Sequence, residues 1–143
     1  MTIQKTSLEK TDFFFGDFSK ARLQEIKLQN AILNNAIFTG STLTEVDLTG
    51  VQATALKMDR SSLNQVKLDG ATLNHSDFFN ARLISVFGRP VSGRAVKADF
   101  SNFSATILSN CDWTGASFYR AQFERARILF STLDQVNFKY LIS

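Results

Sequence analysis

A period of five residues runs through the whole chain, and it limits the possible folds more than any other feature. Taking every position whose number ends in 3 or 8, from Ile3 to Phe138, gives 28 sites, of which twenty are Leu or Phe. With 15 Leu and 14 Phe among 143 residues, random placement would put about six there. An amphipathic helix repeats every 3.6 residues and a half-buried strand every two, so neither explains the pattern. Two residues before each centre runs a second column of small or β-branched residues, among them Ala21, Ile26, Ala31, Ala36, Ser41, Val46, Cys111, Ala116 and Ala121. Two residues after the centre, Asn30, Asn35, Gly40, Gly50, Gly70, Asn80, Asn110 and Gly115 favour left-handed backbone. Each block of five therefore reads as a short extended segment followed by a corner.

A longer period of 20 residues lies on top of the first. Positions 18, 38, 58, 78, 98, 118 and 138 read Phe, Phe, Met, Phe, Ala, Phe and Phe, whereas 8, 28, 48, 68 and 108 are all Leu. One inner face stacks aromatics and another stacks leucines, as expected if four blocks make one turn of a solenoid. The blocks Ala21-Arg22-Leu23, Ala71-Thr72-Leu73, Ser76-Asp77-Phe78, Ala81-Arg82-Leu83, Cys111-Asp112-Trp113 and Ala121-Gln122-Phe123 show a small residue, a polar one, then a large apolar centre. In this the chain resembles the pentapeptide-repeat family over nearly its full length. The resemblance implies an all-β fold, a right-handed quadrilateral parallel β-helix, as one domain over residues 1–143. Twenty-eight blocks correspond to about seven coils and a rod roughly 34 Å long.

The pattern falters between residues 84 and 97. Gly88, Gly93 and Ala98 are three small centres in succession, although Val86, Val91 and Val96 keep the small-residue column and Phe103 resumes on time. Two readings fit: a coil with an underfilled interior, or a protruding loop whose length is a multiple of five. Pro90 lacks an N–H for the coil-to-coil ladder and favours the loop. An exposed loop would offer Arg89, Arg94 and Lys97 to an acidic partner; a decayed repeat would leave them merely solvated. The Gly88 and Gly93 spacing mimics a phosphate-binding loop, but Arg94-Ala95 follows where Lys and Ser/Thr are required.

Nothing in the sequence assembles a catalytic centre. His75, the single histidine, falls at a corner with no nucleophile beside it, and Cys111, the single cysteine, falls in the packed small-residue column. One His and one Cys make no zinc site, and no cofactor is implied. Aspartates such as Asp12, Asp17, Asp47, Asp77 and Asp112 recur just before centres, where the repeat places a polar residue. No apolar run reaches the ~18 residues of a membrane helix, no signal peptide is legible, and a lone cysteine suits a reducing cytoplasm.

The expected function therefore lies on the outer surface. The face carrying Phe18, Phe38 and Phe78 places Phe79, Phe100, Tyr119, Arg120 and Tyr140 outward among Lys and Asp residues, a composition typical of protein interfaces. The partner-binding candidates are Phe79, Arg89, Arg94, Lys97, Phe100, Tyr119 and Arg120. Phe14, Phe15 and Ile32 form a further apolar patch near the first coil. Leu129, Phe130, Tyr140 and Leu141, with Ile142, are candidates for a twofold homodimer contact. The leading expectation is a non-catalytic scaffold that binds an unidentified protein. The family resemblance implies an alternative, a DNA-mimicking binder of a topoisomerase such as gyrase that protects it from quinolones or a peptide toxin. A net charge of +3 and the lack of an unbroken acidic column fit a polyanion mimic poorly, and the same mixed surface disfavours direct nucleic-acid binding.

Overall fold

The local event that repeats along the chain is a tight corner. In the computed structural model, which describes residues Met1–Ile142, the large centres point inward, and at most corners the centre's carbonyl accepts a hydrogen bond from the N–H three residues on. Ala21 N–H meets the Phe18 carbonyl at 3.0 Å, and Ala36 meets Leu33 at the same distance. The residue two after the centre takes positive φ, which makes these type II turns. Asn and Gly hold only a minority of these places. Lys, Glu, Arg, Phe and Tyr fill others, with φ between 47° and 62° at the non-glycine corners of positive φ. The corner N–H explains why: Lys20 donates to Thr39 O and Asn30 to Thr49 O, so the strained residue completes the ladder to the next coil.

Stacking is parallel and strictly 20 residues apart. One sheet joins Thr2–Gln4, Arg22–Gln24, Thr42–Thr44, Ser62–Asn64 and Arg82–Ile84, with Ile3 opposite Leu23, Leu43 opposite Leu63, and Leu63 opposite Leu83. Single bridges carry the column on through Asn102 and Gln122 to Ile142, seven steps in all. Two shorter sheets pair Phe87–Gly88 with Ile107–Ser109 and Arg127–Leu129, and Ala71–Thr72 with Val91–Ser92. The result is the expected quadrilateral parallel β-helix, with no helix among the described residues.

The interior is a single apolar column. Phe18 stacks on Phe38 at 4.7 Å, and Phe118 stacks on Phe138 at 5.6 Å, with Met58, Phe78 and Ala98 between them on the same face. Cys111 is buried and Ser41, Ser61, Ser76, Ser101 and Thr106 join it in the small-residue column. The outermost coils are less covered than the spacing alone implies. Ile3, Leu8, Phe13, Phe123, Ile128 and Phe138 are only partly buried, and Leu133 is 42% exposed.

Corner shape varies around the rod. Every alanine whose N–H closes a turn does so at 2.9–3.0 Å, whereas Val51, Leu56, Val96 and Val136 close theirs at 3.3 Å. After Leu23, Leu43, Leu63 and Leu83 the residues are Ile26, Val46, Val66 and Val86, and the turn bond is replaced by a three-residue strand. Beyond residue 84 this strand-like corner moves to the neighbouring face, at Ile107–Ser109 and Arg127–Leu129.

That change of face happens inside the irregular segment, which is a coil and does not protrude. Lys67 bridges Phe87 and Ala71 pairs with Val91 on one side, while Phe87 pairs with Ile107 and Lys97 bridges Ser117 on the other, so both neighbours hold it in register. The expected loop is therefore overturned: Pro90 removes one donor from the ladder, but the polar groups beside it stay paired. Gly70 N–H shifts by one residue to the Pro90 carbonyl at 2.7 Å, and Arg89 N–H is taken by the Asp69 carboxylate at 2.8 Å. The interior is not underfilled at Gly93 either. A methyl group there would lie 2.2 Å from Trp113 Cζ3, because the indole of the next coil occupies the space. At Gly88 the place is taken by Val91 Cγ2 and Leu108 Cδ2. A residual apolar void of about 10 Å³ among Leu68, Phe78, Val96, Phe103, Leu108 and Trp113 is at the lower limit for a water molecule and offers it no polar partner.

Candidate functional site

The turns after Phe78, Ala98, Phe118 and Phe138 share one corner of the rod, and there the solenoid builds a continuous aromatic ladder. Phe79 and Tyr119 sit at the first corner position, Phe100 and Tyr140 at the second, with φ of 60° and 56°. Ring centroids are 5.6 Å apart for Phe79–Phe100, 5.7 Å for Phe100–Tyr119 and 5.7 Å for Tyr119–Tyr140, each in an edge-to-face arrangement. The Arg120 guanidinium lies 5.6 Å from the Tyr119 ring and 5.8 Å from that of Tyr140. Phe79 is 46%, Phe100 44% and Tyr140 69% exposed. Such rings are costly in water and, at the second corner position, in a backbone region that bulky residues rarely adopt.

Carboxylates brace this corner. Asp77 accepts the Phe79 N–H, and Asp99 accepts both the Tyr119 N–H and the Ser117 hydroxyl. One coil earlier Asp59 accepts from Thr39 and Arg60. Burial pushes the Asp59 carboxyl up, but those two donors outweigh it and hold the group below its usual range. Lys97 and Lys139 are exposed on the strand and corner beside the rings.

Of the residues singled out from sequence, the structure brings together Phe79, Phe100, Tyr119 and Arg120, with Lys97 at their edge. It separates Arg89 and Arg94 from them. Arg89 follows Gly88 at the diagonally opposite corner, and Arg94 follows Gly93 at an adjacent one, where it meets Asp112 of the next coil at 3.6 Å. Tyr140, assigned from sequence to a dimer contact, is the last rung of the ladder. Phe130 is 88% exposed at another corner, with Leu129 partly buried beside it, and Leu141 and Ile142 are about half exposed. Asp12 bridges Ile32, which sets Ile32 beside the exposed pair Phe14 and Phe15. His75 is exposed at a corner with φ of 62°, and burial pushes the Cys111 thiol up, against nucleophilic use.

Sequence reasoning missed one feature. An open groove of about 770 Å³ runs along the corner marked by Lys5, Glu25, Glu45 and Gln65, over a floor of Ile26 and Val46. Its legible signal was the β-branched run Ile26, Val46 and Val66, at a corner where no turn bond closes. Its walls carry both signs, with Lys27 and Lys67 facing Glu25 and Glu45.

Comparison with known proteins agrees with the geometry. The family model described as pentapeptide repeats matches in eight copies over residues 17–52, 47–83 and 99–139. The internal stretch it passes over, residues 84–98, is the coil of Gly88, Gly93 and Ala98. Among solved structures, the plasmid-mediated fluoroquinolone resistance protein QnrB1 aligns over 96% of this chain and 80% of its own, at 12% identity and a TM-score of 0.55. A pentapeptide repeat protein from the thylakoid lumen of Arabidopsis thaliana aligns over 58% of this chain and 63% of its own, at 23% identity and a TM-score of 0.46. No curated protein matches the sequence at a significant level.

Proposed function

We propose, on the premise that this chain belongs to the pentapeptide-repeat family, that it is a non-catalytic scaffold which docks a protein partner on its aromatic corner. The observation that carries the reading is the four-rung ladder of Phe79, Phe100, Tyr119 and Tyr140 with Arg120 across its end. Aromatic residues and Arg dominate the energetics of protein interfaces, and a rigid backbone holds them with little ordering cost. The inner columns keep the rod folded without help from these rings, so the corner is free to serve recognition.

The alternative, a topoisomerase binder that imitates DNA, draws on the likeness to QnrB1, which at 12% identity concerns the fold. The net charge of +3 and the cations along the ladder oppose it. Immobilised wild-type protein and the triple variant Phe79→Ala, Tyr119→Ala, Arg120→Ala separate these readings in one affinity capture from host lysate. The expected result is a protein retained by wild type and lost by the variant, with gyrase supercoiling in quinolone unchanged by either. Equal capture by the triple variant would remove the aromatic corner from the reading, and restored supercoiling would establish the topoisomerase alternative.

A further inference from the structure

The ladder has a periodicity that specifies the shape of its ligand, and this inference rests on the corner being a docking face. Phe79 and Tyr119 hold the same corner position two coils apart, as do Phe100 and Tyr140. With coils about 4.8 Å apart, equivalent rings recur every ~9.6 Å. Successive centroids are separated by 5.6–5.7 Å, so each step also moves sideways by about 3 Å, and the rings zigzag along the corner. Interplanar angles of 66°, 70° and 86° turn neighbouring rings across one another. Equivalent rings therefore repeat on the same side of the corner, with one ring of the other set between them.

We propose that the ladder docks a proline-rich segment in the polyproline II conformation, its pyrrolidine rings lying against equivalent rings of the corner, with an acidic residue at one end. That helix has three residues per turn and rises about 3.1 Å per residue, so prolines three apart recur every ~9.3 Å, within about 0.3 Å of the ring period. An α-helix turns every ~5.4 Å and falls out of step with 4.8 Å coils by about 0.6 Å per rung. Aromatic rows are the common receptor for polyproline II segments, whose fixed backbone loses little entropy on binding. The acidic end follows from charge. Lys97, Arg120 and Lys139 lie along the Tyr119–Tyr140 end, and among the described residues the ion pairs involve other cations: Arg60, Arg94 and Arg125. Two carboxylates at this corner are already engaged, Asp77 by the Phe79 N–H and Asp99 by Ser117 and Tyr119.

Fluorescence polarisation with three labelled probes tests this: decaproline with a Glu-Glu end, decaproline with a Lys-Lys end, and an amphipathic helical peptide with a Glu-Glu end. The expected result is saturable binding of the first, about tenfold weaker binding in Phe79→Ala and in Tyr119→Ala, and no change in Phe130→Ala, whose ring stands at another corner. The Lys-Lys probe should bind several-fold more weakly at low salt, and the difference should shrink at high salt. No saturable binding of decaproline, equal binding by the ladder variants, or preference for the helical probe would each overturn the proposal. Ladder-dependent capture from lysate without decaproline binding would overturn this ligand class and leave the docking face standing.

Discussion

Replacing Gly93 by Ala adds one methyl group to the core, and the structure predicts that the cost resides in one neighbour. The new Cβ would lie 2.2 Å from Trp113 Cζ3 and 2.3 Å from Cε3, whereas ordinary contacts are about 3.4–4 Å. The indole would have to withdraw by more than about 1 Å in an interior without room for it. Backbone strain is not at issue, since Gly93 lies outside the left-handed region. Overpacking of this kind costs about 1–3 kcal/mol, while Gly→Ala at a permissive position returns about 0.4–1 kcal/mol through the unfolded chain. The net expectation is a loss of about 1–2 kcal/mol, or a melting temperature lower by roughly 3–6 °C for a domain of this size. With Trp113→Leu as background the ring is gone, and Gly93→Ala should then stabilise by about 0.5–1 kcal/mol. Urea unfolding of the four proteins, with m-values checked for constancy, measures a coupling expected near 2 kcal/mol. Additivity within about 0.5 kcal/mol would refute the idea that the oversized Trp113 replaces the missing centre.

Further expectations follow from polar groups and surfaces. Ser41 Oγ is buried without a partner, whereas Ser61 Oγ donates to the Met58 carbonyl. Ser41→Ala should therefore raise stability by about 1 kcal/mol and Ser61→Ala lower it by a similar amount in the same urea titration. Hydrogen bonds from Ser19 and Thr114 hold the Asp17 and Asp112 carboxyls below their ordinary 3.8. The unfolded chain then binds more protons in the acid range, so this stability is present above about pH 4 and lost as pH falls further. Melting temperature should be level from pH 7 to 5 and drop below 4, and Asp112→Asn should flatten part of that drop. We also expect self-association through the exposed Phe130, Leu141 and Ile142. Sedimentation at micromolar concentration should give twice the chain mass, and Phe130→Glu should restore the single chain.

The repeat made most of the fold legible before any coordinates. Leu23, Leu43, Leu63 and Leu83 reveal a 20-residue stack because an interior one side chain wide admits only a large apolar residue at each turn. The corners were less legible, because coil-to-coil hydrogen bonds, which no local window contains, hold Lys20 and Phe100 in left-handed backbone. The segment around Pro90 misled for the same reason. Its lost donor is visible in the sequence, but the pairing of the segment with the coils before and after it is not. The candidate site divided likewise. Phe79, Phe100, Tyr119 and Arg120 share a spacing near 20 and could be grouped from sequence, whereas Arg89 and Arg94, close to them in number, point from other corners.

By itself the sequence determined the period, the inward columns and hence the solenoid, because burial of one residue in five is a requirement each block states independently. Tertiary structure alone decided that Trp113 fills the space of Gly93, that the strand-like corner changes face near residue 84, and that four rings merge into one ladder. Each of these depends on atoms a full coil apart, about 4.8 Å in space and about 20 residues in sequence. At that separation, contact is set by how the coils stack.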